Sequence, residues 1–131
     1  MGGSLEYRVD KQKNRLYLKL SGFFRKGDVP ETMEKLTTAL AQVEPGFDVV
    51  TDLSEFVPGS PGSTAALTKG GELVAGRGRR RGVRITGGLM TGLMQFQRLL
   101  SGVFKDEDTR YAKSVAEADA VLDNWDDGES S

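Results

Sequence analysis

The chain has 131 residues, 37% hydrophobic and 28% charged, and its 18 basic and 19 acidic side chains give a net charge of −1. This composition predicts a globular domain with a buried core, rather than a disordered chain or one drawn to nucleic acid by its net charge. The sequence has no cysteine and no histidine, which excludes disulfides, thiolate catalysis, zinc–sulfur sites and histidine-dependent triads. We therefore expect a protein that is not an enzyme, with no catalytic residue, no metal and no cofactor.

The first part of the chain has the patterns of a hairpin and a helix. Apolar residues at every second position predict strands over Leu5–Val9 and Leu16–Leu20, joined by a turn. Asp28, with Pro30 in the first turn, predicts the cap of a helix. Pro45–Gly46 ends this helix.

The middle of the chain predicts the centre of a sheet. The run Phe47–Leu53 is apolar and β-branched, as is typical of a central strand. Ser63 is a plausible cap for a second helix that extends to about Ala75, with Leu73 among its inward residues. A short strand follows at Val83–Thr86.

The last part predicts two more helices and a strand. An apolar stripe indicates a helix from Leu89 to Phe104. Thr109–Lys113 reads as the last strand, and Ser114 with Glu117 forms a capping box for a final helix. An acidic tail over residues 126–131 is expected to fray.

The element order is therefore β-β-α-β-α-β-α-β-α, which predicts a single α/β domain over residues 1–131 with an ordered core at about residues 5–125. We expect a mostly parallel sheet with an antiparallel edge strand and with helices packed on it. Residues 1–4 lack the features of a signal peptide, and no apolar run approaches the roughly 20 residues of a membrane span. We expect a cytoplasmic protein without a transmembrane segment.

Several of these features together resemble SpoIIAA-like proteins of the STAS group: the element order, the Asp52–Leu53–Ser54 tripeptide, the Gly/Ser loop before the second helix and the closing segment Arg110–Tyr111–Ala112–Lys113–Ser114–Val115–Ala116–Glu117–Ala118. These proteins are related to anti-sigma-factor antagonists and, in the broader fold, to CRAL-TRIO lipid-transfer domains. The resemblance covers about residues 5–125. It implies a non-enzymatic regulatory module of bacteria that acts by binding a protein partner.

The resemblance also implies a switch loop. In antagonist proteins, a partner kinase phosphorylates a serine in an Asp-Ser-Ser-Gly-like turn before the second helix. Residues 58–63 read Pro-Gly-Ser-Pro-Gly-Ser here, without an Asp before the Ser. The candidate switch residues are Asp52, Ser54, Ser60 and Ser63. A phosphate on Ser60 or Ser63 would lie near the positive end of the second helix. Alternatively, these serines cap the helix and form its turn.

Five arginines within eight residues form a second candidate site: Arg77, Arg79, Arg80, Arg81 and Arg84. Guanidinium groups suit phosphate and carboxylate, so the segment could bind an anion. The alternative is a solvated loop whose first arginines complement the carboxyl end of a helix. No aromatic residue is interleaved with the arginines, so base stacking is not indicated and we do not expect nucleic acid as a partner.

A third candidate is an apolar groove beside the predicted third helix, formed by Leu89, Met90, Leu93 and Met94. Such a groove would accept a lipid tail or a partner helix, and the alternative is that these residues pack in the core. Residues 69–84 carry six basic side chains and one acidic one, whereas residues 117–131 carry six acidic and no basic ones. This separation could support head-to-tail self-association, such as a homodimer, and the alternative is a solvated acidic tail.

The main expectation is thus a protein-binding module that phosphorylation could regulate. The alternative is a binding module for a small apolar, lipid-like ligand or an anionic ligand. A third reading is an enzyme that uses Asp52 and neighbouring hydroxyl groups.

Overall fold

The computed structural model describes residues 2–86, 98, 102–104 and 106–125. Within these residues the chain forms five strands and three α-helices, with short 3₁₀ turns at Lys26–Asp28 and Asp106–Asp108. The elements in chain order are β1 (Ser4–Asp10), β2 (Arg15–Phe23), α1 (Val29–Leu40), β3 (Asp48–Val57), α2 (Pro61–Arg77), β4 (Arg81–Ile85), β5 (Thr109–Ala112) and α3 (Val115–Asp123).

The strands form one sheet in the order β1-β2-β3-β4-β5. β1 pairs with β2 in antiparallel orientation, and every other neighbouring pair is parallel. The predicted α/β class is confirmed, as is a mostly parallel sheet with an antiparallel edge strand. β3 is the middle strand, and its Val49 and Val50 are buried, so the predicted central strand is confirmed and extends to Val57.

Helices cover both faces of the sheet. Side chains alternate along a strand, so Leu16 and Leu18 of β2 face α1 and α2, whereas Tyr17 faces α3. The core under α1 and α2 contains two clusters of buried residues, and the core under α3 is a third. The third cluster consists of Tyr17, Val50, Val83, Ile85, Ala112, Ala118 and Leu122.

The predicted starts of the first two helices agree with the structure in part: Asp28 is the N-cap residue of α1, whereas Ser63 is not the N-cap residue of α2. Asp28 does not cap α1 with its side chain; its carboxylate accepts hydrogen bonds from the amides of Arg25 (2.8 Å) and Gly3 (3.2 Å). The reason is the 3₁₀ turn before α1, which places the Arg25 amide within reach of this carboxylate. The cap of α2 is Ser60 rather than Ser63, because Ser60 Oγ accepts a hydrogen bond from the Ser63 amide at 2.9 Å.

The end of α2 also differs from the prediction. The helix continues to Arg77, two residues past Ala75, and Gly78 ends it with a φ of +99° that glycine adopts without strain. Leu73 is exposed rather than inward, because the helix turns its buried stripe through Leu67, Gly70, Gly71 and Val74. The predicted cap of the last helix is confirmed, since Ser114 Oγ accepts a hydrogen bond from the Glu117 amide at 3.1 Å.

Some predictions concern residues outside the described ranges. Most of the predicted helix from Leu89 to Phe104 lies outside the described residues, as do all four residues of the predicted apolar groove, Leu89, Met90, Leu93 and Met94. The acidic tail over residues 126–131 lies outside them as well. None of the helices described has the length and apolar character needed to span a membrane.

Candidate functional site

A β-bulge in β3 organises the first candidate site. Lys19 of β2 is paired with Asp52, whereas Ser21 is paired with Glu55, so β3 contains one extra residue at this point. The Asp52 carboxylate accepts hydrogen bonds from the Ser54 amide at 2.9 Å and from the Ser54 hydroxyl at 2.6 Å. Asp52 therefore satisfies a backbone donor where the extra residue interrupts the ladder.

The bulge also changes which side chains enter the core. In a regular strand, residues three positions apart lie on opposite faces. Leu53 and Phe56 nevertheless belong to the same buried cluster as Phe24, and the rings of Phe24 and Phe56 are 5.9 Å apart. The extra residue thus brings Phe56 back to the face that α1 and α2 cover, and Val57 turns outward.

Ser60 and Ser63, the predicted switch serines, are brought together but are buried, with 4% and 1% of their surfaces exposed. Ser60 Oγ lies 2.7 Å from the Phe24 carbonyl oxygen and 2.9 Å from Ser63 Oγ, and Ser63 Oγ lies 2.9 Å from the Val57 carbonyl oxygen. A kinase could reach neither hydroxyl without opening the start of α2. The geometry matches the alternative in which both serines hold the helix start in place.

Two exposed apolar residues that no sequence-predicted site included, Phe23 and Val57, lie at the ends of β2 and β3. Phe23 and Val57 are register partners, and 49% and 44% of their surfaces are exposed. The neighbouring Phe24 and Phe56 are buried. The adjacent residues Phe23 and Phe24 could have predicted an exposed aromatic side chain here, because in an extended chain one of two neighbouring residues points away from the core.

Charged residues border this pair. Lys19 Nζ forms an ion pair with Glu55 Oε2 at 2.7 Å, and the hydrogen bond to Glu55 raises the pKa of Lys19. By strand alternation, Lys19 shares a side with Tyr17, and Glu55 shares a side with Val57, which places the group on the α3 side of the sheet. We call this group the β2–β3 end surface; it consists of Lys19, Phe23, Asp52, Glu55 and Val57.

The five clustered arginines do not form one patch, because their contacts are spread over several parts of the chain. Arg77 donates hydrogen bonds to the carbonyl oxygens of Leu40 (3.0 Å) and Val43 (2.6 Å), and it thereby complements the carboxyl end of α1 rather than that of α2. Arg80 and Arg81 both contact Asp48. Alternation along β4 then separates Arg81 on the α3 face from Arg84 on the opposite face.

Arg79 and Arg84 lie on the face that α1 and α2 cover. The Arg79 guanidinium donates hydrogen bonds to the Asp108 carbonyl oxygen and to Thr109 Oγ1, both at 2.9 Å. It also lies over the Phe104 ring, 4.0 Å from the ring centre. Arg84 is buried beside it, and its Nη1 lies 3.4 Å from the Tyr111 hydroxyl.

A polar network that the sequence pattern did not reveal attaches α3 to β2. Arg15 donates hydrogen bonds to Asp119 and Asp123, both at 2.9 Å, and the Tyr17 hydroxyl donates to Asp119. Burial would lower the pKa of Arg15, but hydrogen bonds to Asp123, Tyr17 and Asp119 outweigh it and raise that pKa. Burial and the Asp119 hydrogen bond raise the pKa of Tyr17. Asp119 and Asp123 are one helical turn apart, and this spacing could have predicted that both carboxylates lie on the same face of α3.

Within the part of the chain that the structure describes, acidic side chains form no group of three or more that could hold a metal ion. No protein-family model matches the chain, and no curated protein matches it. The resemblance to SpoIIAA-like proteins therefore stays a prediction that depends on the residue pattern and on the α/β class.

Proposed function

We propose that this protein is a non-enzymatic protein-binding module of the STAS or SpoIIAA-like type and that it binds its partner through the β2–β3 end surface. The observation that carries this proposal is the exposed pair Phe23 and Val57, with the Lys19–Glu55 ion pair on the same side of the sheet. Apolar side chains with charged ones beside them are typical of interfaces, which combine an apolar centre with a polar rim.

The surface can supply both affinity and orientation. Phe23 is the larger anchor, because aromatic side chains contribute most to binding when a partner covers them fully. Lys19 and Glu55 already pair with each other, so they present both charge signs to a partner and restrict how it can dock. The bulge keeps Asp52 at the border of this surface, since its carboxylate is engaged by Ser54.

Phosphorylation of Ser60 or Ser63 is not part of this proposal. Both hydroxyls are buried and hydrogen-bonded, so modification would require part of α2 to unfold first. Control of the module would then act through the partner or through a ligand. A regulatory role in the cytoplasm of a bacterium is the setting that the family resemblance implies.

The test is a partner capture with a matched control. The tagged protein and the double variant Phe23→Ser/Val57→Ser are incubated with lysate of the cells that make the protein. The control is Leu73→Ser, which changes an exposed apolar residue on α2. We expect a partner that the wild-type protein and the control retain and that the double variant loses. That partner is then purified, and its affinity for each variant is measured by calorimetry.

The expected loss of affinity is about tenfold or more, since truncation of a central anchor costs about 2 kcal/mol or more. Equal binding of the purified partner to all three proteins would contradict the assignment of the surface. Sedimentation equilibrium of the protein alone distinguishes a different partner from a second copy of the same chain, because a homodimer would dissociate in the double variant.

A further inference from the structure

The strand β1 forms one edge of the five-stranded sheet and pairs with β2 on its inner side. An edge strand presents a row of backbone N–H and C=O groups that can pair with a further strand. β1 has seven residues and contains no proline, whereas the strand at the other edge, β5, has four residues. β1 is therefore the better template for an added strand.

Hydrogen bonds of β2 determine which backbone groups of β1 point inward. The Asp48 amide donates a hydrogen bond to the Asn14 carbonyl oxygen at 3.1 Å, so this oxygen points to β3. Backbone groups of successive residues in a strand point to opposite sides, so those of Arg15 point to β1. Arg15 is the register partner of Asp10. The backbone groups of Asp10, and of every second residue back to Ser4, therefore bond to β2.

The residues between these positions, Leu5, Tyr7 and Val9, direct their N–H and C=O groups to the open edge. The Leu5 carbonyl oxygen accepts a hydrogen bond from Lys35 Nζ of α1 at 2.8 Å. A carbonyl oxygen has two lone pairs, so it can accept a second donor beside this lysine. Three residues of β1 thus have backbone groups placed to pair with another chain.

The two faces of β1 carry different side chains. On the face that α1 and α2 cover, Leu5 is buried, while Tyr7 and Val9 are half-buried and pack against the same core cluster. On the α3 face, the Arg8 guanidinium lies 3.8 Å from the centre of the Tyr17 ring. Glu6 lies on this face as well, by strand alternation, and is exposed. The apolar core therefore reaches the edge of the sheet, with one charge of each sign beside it.

The sequence of β1 is complementary to itself in one antiparallel register. When two copies pair about a two-fold axis at Tyr7, the two Tyr7 side chains lie opposite each other. Leu5 then lies opposite the partner's Val9, and Glu6 lies opposite the partner's Arg8. Each of these two contacts occurs twice, because the interface is symmetric. Aromatic, apolar and opposite-charge pairs are the cross-strand pairs that stabilise a sheet.

Neighbouring registers lack this match. The outward backbone groups can exchange hydrogen bonds only with each other, so the next possible axes lie at Glu6 and at Arg8. An axis at Glu6 places two Glu6 carboxylates opposite each other. An axis at Arg8 pairs the two arginines and also places Glu6 opposite the partner's Asp10. Like charges directly opposite each other destabilise a strand pair, so the register about Tyr7 is favoured.

We propose that two copies of this chain pair through β1 about Tyr7 and join their five-stranded sheets into one continuous sheet. The outward backbone groups of Leu5, Tyr7 and Val9 supply the hydrogen bonds, and the two Glu6–Arg8 pairs fix the register. This interface does not depend on the proposed function, because neither Phe23 nor Val57 lies on β1.

The first test is sedimentation equilibrium of the full chain over a range of concentrations. We expect the wild-type protein to approach twice the mass of one chain. Glu6→Arg and Arg8→Glu each place like charges opposite each other at two positions, so each should raise the dissociation constant about tenfold or more. The matched controls, Glu72→Arg and Lys69→Glu, make the same charge changes at exposed positions of α2 and should dimerise as the wild type does.

The second test mixes the two β1 variants. In a pair formed by one chain with Glu6→Arg and one with Arg8→Glu, every cross-strand charge pair again has opposite signs. We therefore expect the mixture to form a heterodimer with an affinity close to that of the wild-type dimer. An interface elsewhere on the molecule does not predict this recovery.

Hydrogen exchange of the wild-type protein gives a third measurement that needs no variant. The Tyr7 amide faces the open edge in one chain and is bonded in the dimer, so its protection should rise with protein concentration. The Glu6 amide bonds to β2 at every concentration and is the internal control.

Three results would overturn the proposal: a wild-type protein that stays monomeric, a dimer that both charge variants leave intact, or a mixture of folded variants that does not associate. If a variant does not fold, the Tyr7 amide decides, and protection independent of concentration would contradict the interface. The β1 dimer should persist in Phe23→Ser/Val57→Ser, unlike a homodimer through the β2–β3 end surface, so the two proposals can fail separately.

Discussion

Asp48 of β3 and Arg81 of β4 are register partners, and their side chains form a two-point ion pair with nitrogen-to-oxygen distances of 3.0 and 3.2 Å. Asp48 also lies 3.4 Å from Arg80, and the guanidinium groups of Arg81 and Arg110 lie 5.3 and 3.9 Å from the centre of the Trp125 ring. One buried carboxylate thus holds two of the five clustered arginines, so the cluster is largely a set of internal contacts.

Loss of the Asp48 charge should be costly. Asp48→Asn keeps the shape of the side chain but removes the negative charge of its ion pair with the buried Arg81, so we expect unfolding to require about 3–5 kcal/mol less. The matched control is Glu55→Gln, which removes the exposed ion pair with Lys19 and should change the free energy of unfolding little, because solvent screens such a pair. Urea denaturation of both variants measures the difference. Similar costs for the two variants would contradict a structural role for Asp48.

Two glycines of α2 should respond in opposite ways to alanine. A Cβ atom at Gly62 would overlap the backbone of Phe24 and Arg25, so Gly62→Ala should destabilise by about 1–3 kcal/mol. Gly76 is exposed with open space around it, and Gly76→Ala should stabilise by about 1 kcal/mol through helix propensity. Thermal unfolding followed by circular dichroism gives both values. A stabilised Gly62→Ala would show that α2 begins farther from β2 than described.

The buried cap of α2 should contribute more to the free energy of unfolding than the exposed cap of α3. Ser60→Ala removes the cap and also the hydroxyl that donates to the Phe24 carbonyl, so we expect a loss of about 2 kcal/mol or more. Ser114→Ala removes an exposed cap only and should cost about 1 kcal/mol. Chemical denaturation compares the two. If Ser114→Ala proved the more costly, Ser60 would not be buried as described.

Acid should weaken the contact between α3 and β2. The hydrogen bond from Arg15, helped by Lys13 and opposed by slight burial, lowers the pKa of Asp123 below its usual 3.8. Since the folded pKa is the lower one, this contribution to stability is present above about pH 4 and is lost as the pH falls through the folded pKa.

A variant without the Asp123 carboxylate should have an unfolding free energy that depends less on pH in acid. Asp123→Asn should reduce the slope of unfolding free energy against pH below about pH 4. Glu34→Gln, an exposed change on α1, should leave the profile as in the wild type. Denaturation series at stepped pH provide the measurement. Identical slopes in the wild-type protein and Asp123→Asn would rule out a contribution from this carboxylate.

Sequence pattern alone determined the order and type of the described elements. The alternation of Leu16, Leu18 and Leu20 indicated a strand, and the Ser114–Glu117 spacing indicated a helix start, because both depend only on neighbouring residues. The antiparallel edge strand and the central position of β3 also followed, since a hairpin precedes an alternation of strands and helices.

Tertiary structure alone decided which side chains meet. The choice of Ser60 over Ser63 as the cap depends on carbonyl groups of Phe24 and Val57, which come from other elements. The bulge that exposes Val57 depends on pairing between two strands. Sequence places five arginines side by side, but strand alternation and partners about thirty residues away assign them to different faces. Local periodicity determines which residues form helices and strands. The ion-pair and hydrogen-bond partners of each side chain depend instead on how segments distant in the sequence pack together.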